Sequence, residues 1–268
     1  YALPYDPRPL EENDTVLLFR NGDVLLHVAG IGNRLPLWRD IAGAGGACAP
    51  LHAFTQDQRR VFVGTAEPDA EAPKGYAFQS VRAFRTLMPT QDGFLLNAAY
   101  HLSVWYATHR FCGACGGQTR PALHERALVC ENCGLVRYPV ISPAVIVALT
   151  DGDRILLARN ARSTFKHYSL LAGFIEVGET AEQTVHREIM EEVGLKVKAI
   201  RYVASQPWGL SQSLMIGFRA ALDGPPDITL QTSELSEARW FARSELRAPG
   251  NTASIAFDII ERFRQGKL

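Results

Sequence analysis

The chain has no excess of charge of either sign: 28 basic and 28 acidic residues among 268 leave a formal net charge of zero. A protein drawn to nucleic acid or to a membrane surface by its overall field is therefore excluded, and only a local basic groove stays open. No apolar run approaches the ~20 residues that a membrane span needs, and no basic-plus-apolar leader is evident. A soluble, cytoplasmic protein with no membrane partner is expected. The cluster from Gly43 to Gly46 lacks the lysine and the serine or threonine of a phosphate-cradling loop, and Gly30-Ile31-Gly32 is a fragment of a dinucleotide fingerprint. Both read as turns. Internal repeats and low-complexity segments are also missing, and the length leaves room for about two domains.

Cysteine is scarce, at five residues, but four of them are arranged. Cys112-Gly-Ala-Cys115 and Cys130-Glu-Asn-Cys133 are each followed by glycine, at a separation that suits one short hairpin. Two such turns aim four thiolates at one ion, which is the pattern of a closed, tetrahedral, structural Zn2+ site. A disulfide framework would require an oxidising compartment, for which the sequence offers no leader. Cys48 stands apart, with no base beside it, and reads as a small buried residue.

Residues 173 to 195 carry the chemistry: Gly-Phe-Ile-Glu-Val-Gly-Glu-Thr-Ala-Glu-Gln-Thr-Val-His-Arg-Glu-Ile-Met-Glu-Glu-Val-Gly-Leu. Glu188, Glu191 and Glu192 share one face of a helix, about a turn apart, and such carboxylates repel unless a cation sits among them. Oxygen ligands of this kind select Mg2+ or Mn2+, cations that bind substrate phosphates with few protein carboxylates. Thr180 and Gln183 have the form of a capping box, and Gly194 suits the left-handed residue that ends the helix. His186 points beside Arg187 rather than among the glutamates, and both it and His167 read as surface histidines.

Around these motifs the alternation of apolar residues gives an α+β chain. Thr15 to Phe19 and Val24 to Val28 flank an Asn21-Gly22-Asp23 turn as a hairpin, Arg60 to Val63 is a strand, Glu67 to Lys74 a loop, and Asn97 to Thr108 a helix. After the cysteines, Pro143 to Leu149 and Arg154 to Ala158 are strands about the turn at Asp151. Further strands follow at Val197 to Val203, Leu214 to Ala220 and Ala238 to Phe241, and Ile255 to Phe263 is an amphipathic helix. The expected parts are an N-terminal α+β domain (1 to 110), a zinc ribbon (111 to 138) and a catalytic domain (139 to 268).

Gly173, Glu179, Arg187, Glu188, Ile189, Glu191, Glu192, Gly194 and Leu195 fill every position of the Nudix box. The chain thus resembles the Nudix hydrolases, and the preceding ribbon narrows the resemblance to the NADH pyrophosphatase branch, which also acts on NAD-capped RNA. The resemblance implies an α/β/α sandwich with a mixed sheet, and catalytic metals held by Glu188, Glu192, Glu234 and the carbonyl of Ala172. Glu191 either shares a metal or takes a proton from water. Which glutamate is the base is left open, as is the choice of Mg2+ or Mn2+. Gly173 and Gly194 are structural in the box, with Glu179 and Arg187 a pair orienting the metal helix.

Ser205-Gln206-Pro207-Trp208 and Gln212-Ser213 match the branch's downstream motif, whereas Gly209-Leu210-Ser211 replaces its Pro-Phe-Pro. Losing two prolines and a ring softens this loop. Substrate contacts implied by the resemblance are Arg82, Glu125, Phe174, Ala256 and the segment Gln206, Pro207, Trp208, Gly209, Leu210, Ser211, Gln212 and Ser213. Tyr138 joins them from across a homodimer. The implied reaction hydrolyses NAD(H) to NMN(H) and AMP, and on NAD-capped RNA 5' ends releases NMN and leaves 5'-monophosphate RNA. A broader pyrophosphatase for ADP-ribose or another ADP-linked metabolite is the alternative kept alive by Gly209-Leu210-Ser211. A zinc-ribbon nucleic-acid-binding protein is a lesser one, because residues 116 to 129 carry Arg120, His124 and Arg126 but no aromatic ring for base stacking.

Overall fold

The computed structural model describes the chain apart from residues 1–4, 7, 29–31, 45–48, 84–89, 162–166 and 249–253. Cys48, and most of the two glycine-rich turns, lie outside the described residues. The chain divides into two compact units, Tyr1–Val140 with Trp208–Gln212, and Ile141–Pro207 with Ser213–Leu268.

In the first unit, β1 (Thr15–Arg20), β2 (Asp23–His27), β3 (Leu51–Gln56), β4 (Arg59–Thr65) and β5 (Tyr76–Ser80) form a sheet of order β3-β4-β1-β2-β5. β1 runs parallel to β4, and the other pairings are antiparallel. The β1–β2 turn uses Asn21 at φ 50° and Gly22 at φ 84°, the doubly left-handed geometry that two-residue hairpins favour. Alternate β1 residues serve opposite faces. Leu17 and Phe19 pack with Leu95, Leu96 and Ala99 of the helix α2 (Thr90–Thr108), while Val16 and Leu18 pack with Ile41 of the short helix α1 (Trp38–Ile41). Helix α2 begins at Thr90, earlier than the expected Asn97. Gly93, a poor helix former, breaks the apolar pattern in that first part, and burial against the sheet overrides it.

The cysteine-rich segment belongs to the same unit. It folds as a three-stranded sheet of β6 (Thr119–Pro121), β7 (Leu128–Cys130) and β8 (Val136–Arg137).

The second unit contains β9 (Ser142–Asp151), β10 (Arg154–Asn160), β11 (Leu171–Phe174), β12 (Val197–Trp208), β13 (Ser213–Leu222) and β14 (Leu235–Ala242). They form a mixed sheet of order β12-β13-β9-β10-β14, in which β13 is parallel to β9 and β11 pairs antiparallel with it. The unbroken apolar run of β9 reflects cover on both faces. Val145, Val147 and Leu149 pack with Val185, Ile189 and Val193 of α3 (Ala181–Val193), and Ile146 and Ala148 pack with Ile255 and Ile259 of α4 (Ile255–Arg264). This is a helix–sheet–helix sandwich. No described helix is long and apolar enough to cross a membrane.

Candidate active site and zinc ribbon

Helix α3 is fixed at both ends. The Thr180 hydroxyl accepts from the Gln183 amide at 3.2 Å while Gln183 Oε1 accepts from the Thr180 amide at 2.8 Å, and Gly194 closes the helix at φ 69°. Val185, Ile189 and Val193 are fully buried, each contributing roughly 1.5–3 kcal/mol. One step round the same helix, Glu188 and Glu192 are carried into the interior as well, at 9% and 5% exposure. Glu191 and His186 stay exposed.

β11 supplies the other wall. A Cβ on Gly173 would lie 1.9 Å from the carboxylate of Glu188, so only glycine lets that carboxylate rest on the strand. Ala172 and Phe174, on either side, are exposed.

Arg187 organises the acidic groups. Its Nε and Nη2 donate to the two carboxylate oxygens of Glu179 at 2.7 and 3.0 Å, its Nη1 to Glu188 at 2.8 Å and Glu191 at 3.0 Å, and its Nη2 also to the carbonyl of Phe174 at 2.9 Å. The arginine, helped by the Thr184 hydroxyl, holds Glu179 down to about 2. Glu188 and Glu192 behave in the opposite way. Burial raises both, and repulsion from neighbouring glutamates, Glu234 included, adds to it; Glu192 is pushed up to about 8. Glu192 Oε2 is buried without a hydrogen-bond partner. A buried carboxylate left in this state is costly unless a cation joins it, and the donors present are all hard oxygens. Glu188 and Glu192 thus offer hard oxygens of the kind a divalent cation takes, and the exposed Glu234 adds to the negative charge around them.

The ribbon contains two matching knuckles. Gly116 and Gly134, at φ 73° and 72°, each donate an amide hydrogen to the first cysteine carbonyl of their pair, at 2.9 and 3.0 Å. Gly117 has no room for a side chain, since a Cβ there would meet Asn132 at 2.8 Å and Cys130 Sγ at 3.3 Å. The Sγ atoms of Cys112, Cys115, Cys130 and Cys133 all lie within 4.8 Å of one another. Cys112–Cys133 at 3.7 Å and Cys115–Cys130 at 3.5 Å approach the ~3.8 Å edge of a tetrahedron with Zn–S bonds of about 2.3 Å, and are far beyond a disulfide. Hydrogen bonds from the Asn132 side chain and the Gly117 amide lower the Cys115 thiol to about 6, which favours the thiolate a metal requires.

The remaining expected residues divide between the units. Tyr138 and Glu125, both exposed in the ribbon, meet through a 3.2 Å hydrogen bond from the phenol to the carboxylate. Arg82 is exposed in the turn Val81–Ala83. Ala256 is half-buried in the first turn of α4, where the Ile255 amide donates to Gln206 Oε1 at 2.6 Å. Pro207 is exposed and Ser213 buried. The turn Gly209–Ser211 packs in the first unit, where the Gly209 amide donates to Asn97 Oδ1 at 3.0 Å and Gln212 Nε2 to the Gly209 carbonyl at 2.8 Å. Asn97 had no sequence signal, being one of several polar residues in a helix that also carries Gln91, Asp92, His101 and Ser103.

A helix–sheet–helix sandwich with its acidic helix on the sheet, preceded by a zinc ribbon, defines a class of metal-dependent hydrolase. Residues 140–263 match the NUDIX domain, and residues 107–138 match the NADH pyrophosphatase zinc ribbon domain. The chain is 43% identical over 190 residues to the NAD-capped RNA hydrolase NudC of Pseudomonas syringae pv. tomato, covering 71% of this chain and 68% of that protein. It is 40% identical over 212 residues to the protein of that name from Stutzerimonas stutzeri, covering 79% and 76%. Among solved structures, a NUDIX hydrolase from Nitrosomonas europaea superimposes with a TM-score of 0.51 at 25% identity, covering 59% of this chain and 92% of that one. The chain belongs to the Nudix hydrolase family, in the branch that joins a Nudix domain to an NADH pyrophosphatase zinc ribbon.

Proposed function

We propose that the protein hydrolyses the pyrophosphate bond of NAD(H) to NMN(H) and AMP, and removes NAD caps from RNA 5' ends to leave NMN and 5'-monophosphate RNA. The observation that carries the reading is the pair Glu188 and Glu192, buried on a helix capped at both ends, with Glu188 paired to Arg187 and one oxygen of Glu192 unpartnered. The names of the relatives and of the matched ribbon, together with Ser205-Gln206-Pro207-Trp208, support a dinucleotide as the substrate.

Glu188, Glu192, Glu234 and the carbonyl of Ala172 hold the divalent metal, Mg2+ or Mn2+. When bound, it neutralises the diphosphate oxygens and lowers the pKa of water. Glu191, exposed and tethered to Arg187, shares the metal or accepts the proton of the attacking water. Arg187 and Glu179 fix the helix against the Phe174 carbonyl, which holds the exposed Phe174 ring where it stacks on a base. Gly173 and Gly194 keep the strand and the helix end in place.

Arg82, Glu125, Ala256 and the segment Gln206, Pro207, Trp208, Gly209, Leu210, Ser211, Gln212 and Ser213 complete the substrate contacts. Tyr138, paired with Glu125, serves across a homodimer. The working parts are residues 1 to 110, 111 to 138 and 139 to 268, with one structural Zn2+ per chain. A reducing, cytoplasmic setting keeps the four thiols free for that metal. The altered Gly209-Leu210-Ser211 segment supports a second reading, a broader pyrophosphatase acting on ADP-ribose.

Product analysis with NADH, ADP-ribose and NAD-capped RNA, each with Mg2+ or Mn2+ and with chelator, tests the proposal. NMNH and AMP are expected from NADH, and both disappear in chelator. Cleavage of ADP-ribose alone overturns the NAD reading in favour of the second. Cys115→Ser is expected to lose zinc and to unfold at lower temperature, because metal binding and folding of such a ribbon are one event. A zinc-free variant of normal stability would remove the ribbon assignment.

A further inference from the structure

The segment in which this chain departs from its branch's Pro-Phe-Pro is also the segment that packs in the first unit. Gly209 is buried, and a Cβ at its position would lie 1.9 Å from the backbone carbonyl oxygen of Asn97 and 3.2 Å from its Oδ1. No residue but glycine fits without moving the turn. Its amide hydrogen is used as well, donated to Asn97 Oδ1 at 3.0 Å, a bond that proline cannot make. Asn97 is only 4% exposed and sits on α2, whose neighbours Leu95, Leu96 and Ala99 are locked in the core. Trp208 and Leu210 pack against that same core. Gln212, at φ 52°, folds back to donate both its amide and its side-chain nitrogen to the Gly209 carbonyl, which closes the turn on itself.

We propose that Asn97 is a positioning residue for substrate recognition. Through one buried hydrogen bond to Gly209 it fixes the crown of the Gln206–Ser213 segment, and with it the Trp208 ring, to α2. The inference rests on the reading of that segment as a dinucleotide contact. It gives the N-terminal domain a task in setting the KM for the nucleotide. It also accounts for the lost prolines: rigidity that proline would supply within the turn is supplied here by an anchor outside it.

The test is a double-mutant cycle on the full-length protein with Asn97→Ala, Gly209→Ala and both together, reading amide hydrogen exchange of residues 208–212, steady-state kinetics and thermal unfolding. In Asn97→Ala, exchange in this segment is expected to quicken and the KM for NADH to rise about tenfold, the equivalent of one hydrogen bond of roughly 1.4 kcal/mol. The kcat of that variant stays within about twofold. Gly209→Ala raises KM similarly, and the double variant is no worse than either single one, because both break the same contact.

Independent, multiplying effects on KM overturn the proposal. So does a drop in unfolding temperature with exchange and KM unchanged, which is what a merely structural asparagine gives. If Asn97→Ala fails to fold, Gly209→Ala carries the exchange and KM readouts alone. Wild-type protein that leaves NADH intact sinks the dinucleotide reading and not the anchor, whose KM comparison is then made with ADP-ribose.

Discussion

Asp14 and Glu192 are buried to nearly the same degree, 7% and 5% exposed, yet their surroundings are opposite. Asp14 accepts from Arg60 Nη2 at 2.5 Å and from the Glu11 amide at 2.7 Å, and Arg60 is itself buried and bonded to the carbonyl of Pro9. The charge is completed from within the fold. Glu192 has an unpartnered oxygen and like charges around it. A buried ion that finds its partner in the chain is structural. Glu192 has no such partner, a state that costs stability and that a bound cation would relieve.

The largest effect is expected for Glu192→Gln, which lowers NADH turnover at saturating metal about a thousandfold, or ~4 kcal/mol of barrier. Unfolding of the metal-free variant should occur at the same or a higher temperature than wild type, since the cost of burying a carboxyl group beside other glutamates has gone. Activity near wild type would dissolve the metal assignment. Asp14→Ala works the other way and leaves the buried Arg60 to the exposed Glu11 carboxylate at 3.4 Å and the Pro9 carbonyl, with an expected loss of ~3 kcal/mol in chemical denaturation. A loss below about 1 kcal/mol would show that the pair is not what neutralises this region.

Two smaller effects sharpen the contrast. Thr180→Ala removes one half of the capping box and should cost about 1 kcal/mol of stability, read by denaturant unfolding. An unchanged midpoint would mean that α3 is held by packing alone. His52 gives the pH test. The Asp6 amide donates to its Nδ1 at 3.2 Å, and burial lowers its pKa from 6.5 to about 4. The unfolded chain therefore binds a proton that the folded one refuses, and stability falls as pH drops from about 6.5 towards 4. His52→Gln should flatten that part of the stability curve, measured as unfolding temperature against pH. An identical slope in the variant would assign the acid sensitivity elsewhere.

Most of the second unit, and the ribbon of the first, was legible because the signals are local. The Thr180–Gln183 cap, the Gly194 stop and the spacing of the glutamates lie within one helix, and the knuckle glycines follow their cysteines directly. What escaped reading depends on distant partners. β11 carries Gly173, a residue that weakens a strand unless something must approach it, and that something is Glu188 on another element. β3 and β5 carry no comparable local signal, and Gly93 hides the start of α2. The bond between Asn97 and Gly209 joins positions 112 apart, beyond any periodicity.

β9 contributes no side chain to the chemistry, and yet it is the ruler against which the chemistry is measured. Val145 pairs with Gly173, the glycine beneath Glu188, and the residues on either side of it are Ala172 and Phe174. A single-residue insertion or deletion in β9 would slide a methyl or a benzyl group into the space that the carboxylate occupies, and would exchange the strand's two apolar faces in the same stroke. Selection on the active site therefore reaches this strand as a constraint on length rather than on identity. Interchange among valine, isoleucine and leucine is a mild change there, whereas a one-residue gain or loss within Ala144–Val147 is expected to disrupt the site.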